Sequence, residues 1–187
     1  MSRTVLSRTV VLVGMMGSGK TTVGRQVASA LAMRFIDTDD AVVAMAGKAV
    51  RDIFAQDGEA AFRAAESQAL AAALASPDDV LVAAAGGTVL SEVNRQAMQD
   101  AADMVVWLDA DPTTLSERTS RGAHRPLLDG DPASRLAVLD VERRALYASV
   151  ADVCINTAGK SIKEGEPVEA PRPSPGSSPR APHPAWR

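Results

Sequence analysis

The chain has 187 residues, 46% hydrophobic and 23% charged, with a net charge of −3, which suits one globular domain with its own core. A net acidic balance and only three Phe, two Trp and one Tyr argue against a partner gripped through its phosphate backbone or stacked on an aromatic platform, so no nucleic acid is expected. The single cysteine, Cys154, cannot close an internal disulfide, the start MSRTVLSRTVVLVG has no export-signal cleavage site, and no uncharged apolar window nears the roughly 18 residues of a membrane span; a cytoplasmic protein with no membrane contact is expected.

From residue 9 to 157, short β-branched runs alternate with longer alanine-rich stretches, the pattern of βαβ units around a parallel sheet. The first run, 9–13, is a strand and leads into Gly14-Met15-Met16-Gly17-Ser18-Gly19-Lys20-Thr21-Thr22, after which 20–32 reads as a helix. Gly14, Gly19, Lys20 and Thr21 match G-x-x-x-x-G-K-[ST] in the strand-loop-helix context that the motif requires. The backbone N–H groups of such a loop curl around phosphates, the helix adds its positive end, Lys20 brings a point charge to the β and γ phosphates, and Thr21 is the candidate Mg²⁺ ligand. Gly17, Ser18, Gly19, Lys20, Thr21 and Thr22 are therefore the ATP-binding candidates.

The second strand, 34–37, ends in the run Phe35-Ile36-Asp37-Thr38-Asp39-Asp40. Asp37 and Asp39 in an extended segment point to the same side, at the carboxyl end of a strand where ligands of such sheets gather, and either can serve the cation. Asp39 or Asp40 can equally cap a helix over 41–46. A long helix over 50–75 precedes the third strand, 80–84, and a helix over 92–101 precedes the fourth, 104–108. Asp109 after that strand is a second candidate for the cation, although Asp109-Ala110-Asp111-Pro112 also reads as a helix start, with Asp111 as cap and Pro112 at the first position. Helices over 112–120 and 132–149 and a last strand, 152–156, complete a five-stranded α/β sandwich of helix, sheet and helix.

Composition changes after Thr157. Residues 158–187 hold seven of the eleven prolines and almost no apolar periodicity, so this segment is expected to be a disordered tail or a linker toward a fused or partner domain, with 1–8 a short N-terminal extension.

The segments GMMGSGKTTVGRQVA, FIDTDD, DIFAQDGEAAFRAAE, AAAGGTVL, RGAHRPLL and VERRALYASVAD occur in the order and at the spacing found in shikimate kinases, and the chain resembles that family from about residue 9 to 157. The resemblance implies a P-loop, nucleoside-monophosphate-kinase-like fold and transfer of the ATP γ-phosphoryl group to the 3-hydroxyl of shikimate, on the route to chorismate and the aromatic amino acids. It implies that Asp39 holds the ring hydroxyls and orients or deprotonates the attacking one, and that Asp37 acts on Mg²⁺ through water. Arg63 and Arg143 would grip the substrate carboxylate, Gly86 and Gly87 would offer backbone contacts to substrate and γ-phosphate, and Arg125 would ride on a lid over ATP. The implied partners are ATP and shikimate with Mg²⁺ as cofactor, and a monomer is expected.

Physical chemistry supports the same kit. Phosphoryl transfer asks a protein mainly for positioning and charge neutralisation, and a guanidinium fork suits a planar carboxylate. The plainer alternatives are an exposed Arg63–Glu66 ion pair at i,i+3 and a solvated loop charge at Arg125; of Arg143 and Arg144 one belongs to the surface, and only the register to Tyr147 favours Arg143 as the inward one. His124 and Cys154 read as structural or incidental.

The chain departs from the family pattern in three places. Ala85 stands where the first of three glycines is usual, a proline-rich tail replaces the final helix, and Lys160 is the only nearby candidate for a basic residue on the adenine side. Two rival readings follow: a kinase of the same fold acting on gluconate or a nucleoside monophosphate, and a catalytically idle nucleotide-binding module. Two arginines facing an acceptor without a carboxylate would have no use.

Overall fold

The computed structural model describes residues 7–120 and 131–159. Five strands, β1 (Thr9–Val13), β2 (Arg34–Asp37), β3 (Val80–Ala83), β4 (Met104–Asp109) and β5 (Val153–Asn156), form one sheet in the order β2-β3-β1-β4-β5, with every pairing parallel. The helices are α1 (Lys20–Ala30), α2 (Thr38–Ala46), α3 (Val50–Leu74), α4 (Glu92–Ala101), α5 (Pro112–Thr119) and α6 (Pro132–Val150), plus a 3₁₀ turn at Thr88–Leu90. No helix among the described residues is long and apolar enough to cross a membrane.

Burial on both faces explains why the strands are apolar throughout rather than alternating. Val11, Val13, Val80, Val82, Val105 and Trp107 meet Leu70 of α3, Met98 of α4, and Leu136 and Tyr147 of α6 on one face. Val10, Leu12, Leu81, Val106 and Leu108 meet Ala28 of α1 and Met33 on the other. Removing such side chains from water contributes roughly 1.5–3 kcal/mol each, which holds the layers together and fixes the register of the strand ends. Gly24 lets α1 lie close to the sheet, since a Cβ there would stand 2.5 Å from the Phe35 ring.

After β1 the chain builds β2 and β3 on one side, then crosses to build β4 and β5 on the other. The reversal leaves a crevice at the carboxyl end of β1, the place where ligands enter sheets of this kind.

Two elements differ from their sequence expectations. Helix α2 begins at Thr38 rather than 41, because the Asp37 carboxylate accepts the backbone N–H of Asp39 at 3.0 Å and becomes the N-cap, while Asp39 and Asp40 fall in the first turn. Neither Asp39 nor Asp40 is the cap, and Asp37-Thr38-Asp39 is not an extended segment with both carboxylates on one side. Within α3 the helix is broken at Gly58, at φ 84° and ψ 172°, a conformation open to glycine. The kink turns the part carrying Ile53 toward α2, where Val42, Ile53, Phe62 and Ala69 form a small separate core.

Candidate active site

The loop after β1 is shaped by its glycines. Gly14 has φ +141°, and a Cβ there would run into the Leu108 carbonyl, so this residue allows the loop to leave the sheet between β1 and β4. Gly19, at φ +99°, is the N-cap of α1 and has no side chain to close the helix end, which leaves the positive pole of α1 turned to the loop. Lys20 folds back over this turn, its Nζ donating to the carbonyls of Gly14 at 2.8 Å and Met15 at 3.0 Å. Ser18 is buried, and its hydroxyl has no hydrogen-bond partner among the described residues.

Beside the loop, the Thr21 hydroxyl donates to the Asp37 carboxylate at 2.7 Å. The two oxygens of Asp37 are thus divided: Oδ1 accepts the Asp39 N–H as helix cap and Oδ2 accepts from the Thr21 hydroxyl. One hydroxyl and one carboxylate are a donor set that fits Mg²⁺, a hard cation that takes few protein oxygens, keeps waters and fills its shell with phosphate oxygens. No group of three or more His, Cys, Asp or Glu among the described residues is arranged to hold a metal. Asp109, the rival carboxylate, is committed elsewhere: both its oxygens accept from Arg144, at 2.9 and 3.1 Å. Asp111 caps α5 by accepting the Thr114 N–H at 2.9 Å, and Pro112 occupies the first turn as its locked φ favours.

Arg63 of α3 pairs with Glu66 of the same helix, and the charge of Arg143 of α6 also reaches that carboxylate. Arg63 donates to Glu66 at 2.7 Å and to Glu59 at 3.1 Å. Burial opposes the charge on Arg63, but the hydrogen bond and charge of Glu66, with Glu59 behind it, outweigh that opposition and hold its pKa above the ordinary value. The Glu66 side chain is only 3% exposed; burial pushes its carboxyl upward, Arg63 pulls it back, and the charges of Asp39 and Arg143 also act on it. The i,i+3 ion pair with Glu66 is therefore present, but it is not an exposed one, since the Arg63 side chain is only 24% exposed.

Gly87 is required here by space and not by φ, which is −86°. A Cβ on Gly87 would overlap the Arg63 guanidinium. Gly86 is tied from the opposite side: the Tyr147 hydroxyl donates to its carbonyl at 2.6 Å and lies 3.7 Å from the Met15 sulfur. Burial pushes the Tyr147 phenol up, so it remains a proton donor to that carbonyl. Ala85, at the position where the family pattern has glycine, is buried and adopts no positive φ; its N–H donates to the Thr38 hydroxyl at 2.8 Å, so its methyl group brings no backbone strain.

Of the two adjacent arginines, Arg143 is the inward one, with a side chain 4% exposed, while Arg144 is 42% exposed. Arg143 Nε is buried and makes no hydrogen bond to any described residue; the Glu142 carboxylate is 3.6 Å away. A buried guanidinium with a donor to spare is expensive to hold unless a ligand anion meets it.

Arg125, Lys160 and His124, and the expected tail from 160 onward, lie outside the described residues. Cys154 is in the core, where burial pushes its thiol up and makes it unreactive. One basic residue at the nucleotide end escaped the sequence reading. Arg118, in the last turn of α5, donates to the Gly17 carbonyl at 3.4 Å and to Thr157 at 2.6 and 3.1 Å, joining the phosphate loop to the end of β5. A cation in the last turn of a helix has an ordinary reason to be there, so nothing local marked it out.

A family model described as shikimate kinase matches residues 16–166. A curated shikimate kinase of Symbiobacterium thermophilum is 48% identical over 158 residues, covering 83% of this chain and 90% of that protein. One from Salinispora arenicola is 46% identical over 154 residues, covering 82% and 90%. Among solved structures, shikimate kinase from Acinetobacter baumannii in complex with shikimate superposes with a TM-score of 0.80 at 32% identity, covering 84% of this chain and 87% of that one.

Proposed function

Since the chain belongs to the shikimate kinase family, we propose that it transfers the γ-phosphoryl group of ATP to the 3-hydroxyl of shikimate, giving shikimate 3-phosphate and ADP, with the residues of this crevice in the following roles. The loop from Gly17 to Thr22 holds the triphosphate through backbone N–H groups and the pole of α1, and Lys20 neutralises the charge that grows on the γ-phosphoryl. Thr21 and, through water, Asp37 hold Mg²⁺. A Mg²⁺ ion held by these residues would neutralise charge on the triphosphate.

Arg63 and Arg143 take the carboxylate of shikimate, and Glu66 keeps the Arg63 guanidinium in place. Asp39, exposed at the first turn of α2, receives the attacking hydroxyl and its proton. Gly86 and Gly87 present backbone to the acceptor. Arg125 closes over ATP from a lid, and Lys160 stands on the adenine side. Closure excludes water, which would otherwise capture the phosphoryl group.

The observation that carries this reading is Arg143: a guanidinium 4% exposed whose Nε makes no hydrogen bond to a described residue suits a small carboxylic acid such as shikimate or gluconate and not a nucleotide, and the family separates the two acids. ADP release with ATP and Mg²⁺, measured with shikimate, gluconate and AMP in turn, tests it. Release with shikimate is expected; release with gluconate or AMP alone would overturn it, and none with any of the three would point to an idle nucleotide-binding module.

The close fit of Gly87 against Arg63 gives a second test. Gly87→Ala should raise KM for shikimate about tenfold or more by displacing the guanidinium, with KM for ATP unchanged; a displaced bidentate contact is worth about 1.5–3 kcal/mol, and 1.4 kcal/mol is tenfold. An unchanged KM for shikimate would show that Arg63 does not hold the acid.

A further inference from the structure

Arg144 is not part of the proposed contacts to either substrate, yet it is the most heavily bonded cation on α6. Its guanidinium makes four charge-assisted hydrogen bonds: Nη2 and Nη1 to the two oxygens of Asp109 at 2.9 and 3.1 Å, and Nε and Nη2 to those of Asp140 at 3.0 and 3.1 Å. It also stacks over Trp107, 5.2 Å from the ring centroid. Trp107 stacks in turn on Tyr147 at 5.9 Å, and Tyr147 holds the Gly86 carbonyl.

Apart from this cluster, α6 is held by apolar contacts of Leu136, Leu139, Leu146, Tyr147 and Val150, and near its end by the Gln99 side chain, which donates to the Ser149 carbonyl at 3.1 Å. The apolar contacts drive burial but have little directionality, so they leave rotation and sliding of the helix weakly set. The outer face adds nothing, since Val138 and Val141 on it are 68% and 83% exposed. The paired bonds to Asp109 supply the directional restraint, because a guanidinium fork meets a carboxylate in one planar arrangement.

We infer that Arg144 is a positioning residue: clamped on Asp109 at the end of β4, it sets the height and rotation of α6 and so aims the neighbouring Arg143 at the acceptor's carboxylate and Tyr147 at Gly86. The inference rests on the assignment of Arg143 to that carboxylate. Arg144 is 42% exposed but Asp109 and Asp140 are only 19% and 14% exposed, so the clamp also contributes to the fold, and what marks a positioning role is an effect on the acceptor's KM that the ATP side does not share.

Arg144→Met keeps most of the apolar stem over Trp107 and removes the clamp. The expected result is a rise of about fivefold in KM for shikimate, with KM for ATP within about twofold and kcat within about threefold, which is the size of coupling found between residues that share a bonded network, and a modest fall in melting temperature from the two carboxylates left without their partner. Asp109→Asn should have the same effect, the double variant should be no worse than either single one, and Arg144→Lys, which keeps the charge without the paired geometry, should fall between wild type and Arg144→Met. Arg143→Met, measured alongside, separates the two ideas. A large rise in KM for shikimate with Arg143→Met but none with Arg144→Met would overturn the positioning role alone. No rise with Arg143→Met would remove the assignment of Arg143 and the inference with it. Equal rises in both KM values together with a large fall in melting temperature would reduce Arg144 to a structural residue and also overturn the inference.

Discussion

Asp39→Asn should lower kcat with shikimate by about a thousandfold while leaving KM for ATP within about twofold, since a positioned general base contributes about 10²- to 10⁴-fold. The expectation follows from where the chain puts this residue. Asp37 takes the capping task, accepting the Asp39 N–H, and Asp39 stands exposed in the first turn of α2. Asparagine has the same size and hydrogen-bonding reach, and the change at this surface position removes only a favourable charge at the pole of α2, an effect of about 0.3–1 kcal/mol. The melting temperature should therefore barely move, and loss of turnover reports chemistry. Steady-state ADP release with shikimate saturating, beside a melting curve, makes the measurement. A kcat within about tenfold of wild type would take the proton-accepting role away from Asp39 and leave it a hydroxyl-orienting residue at most.

The parts of this site that were legible in the sequence are those whose cause is local. Gly14, Gly19, Lys20 and Thr21 sit at fixed offsets between an apolar run and a helix, and nothing remote is needed to read them. Arg143 was legible through periodicity: Leu136, Arg143, Tyr147 and Val150 all lie on the buried stripe of α6, where Arg144 does not. The run Phe35 to Asp40 was not, because strand alternation and helix capping make the same residues plausible in two conformations, and the choice rests on whether the Asp37 carboxylate reaches the Asp39 N–H. Gly58 was missed for an energetic reason. A glycine within a helix costs only about 1 kcal/mol, too little to be read as a break, and here the packing of Phe62 and Ile53 against Val42 adds what local propensity lacks. Asp109 shows the limit most plainly. Its partner Arg144 is 35 positions away along the chain, and no local pattern distinguishes a carboxylate waiting for a cation from one already bound to a guanidinium.

Lys20→Met should lower kcat by about 10²- to 10³-fold, the loss typical of removing one preorganised charge from a developing anion, with KM for shikimate nearly unchanged. The separation is expected because the arginines proposed to take the acid lie on α3 and α6, whereas Lys20 donates to the carbonyls of Gly14 and Met15 in the loop after β1. Those carbonyls hold the ammonium over the turn proposed to take the phosphates, so the same two bonds that shape the loop also place its charge. Lys20→Arg sharpens the test. It restores the full positive charge but replaces a compact ammonium with a wide planar fork, which cannot sit between two loop carbonyls 2.8 and 3.0 Å from a single nitrogen. If position matters as much as charge, Lys20→Arg should remain at least about tenfold below wild type in kcat. Full recovery by arginine would mean that Lys20 acts through charge alone. A rise in KM for ATP with kcat unchanged in Lys20→Met would mean that the lysine binds ground-state ATP and the transition state equally, and that the loop amides and Mg²⁺ carry the phosphoryl transfer without it.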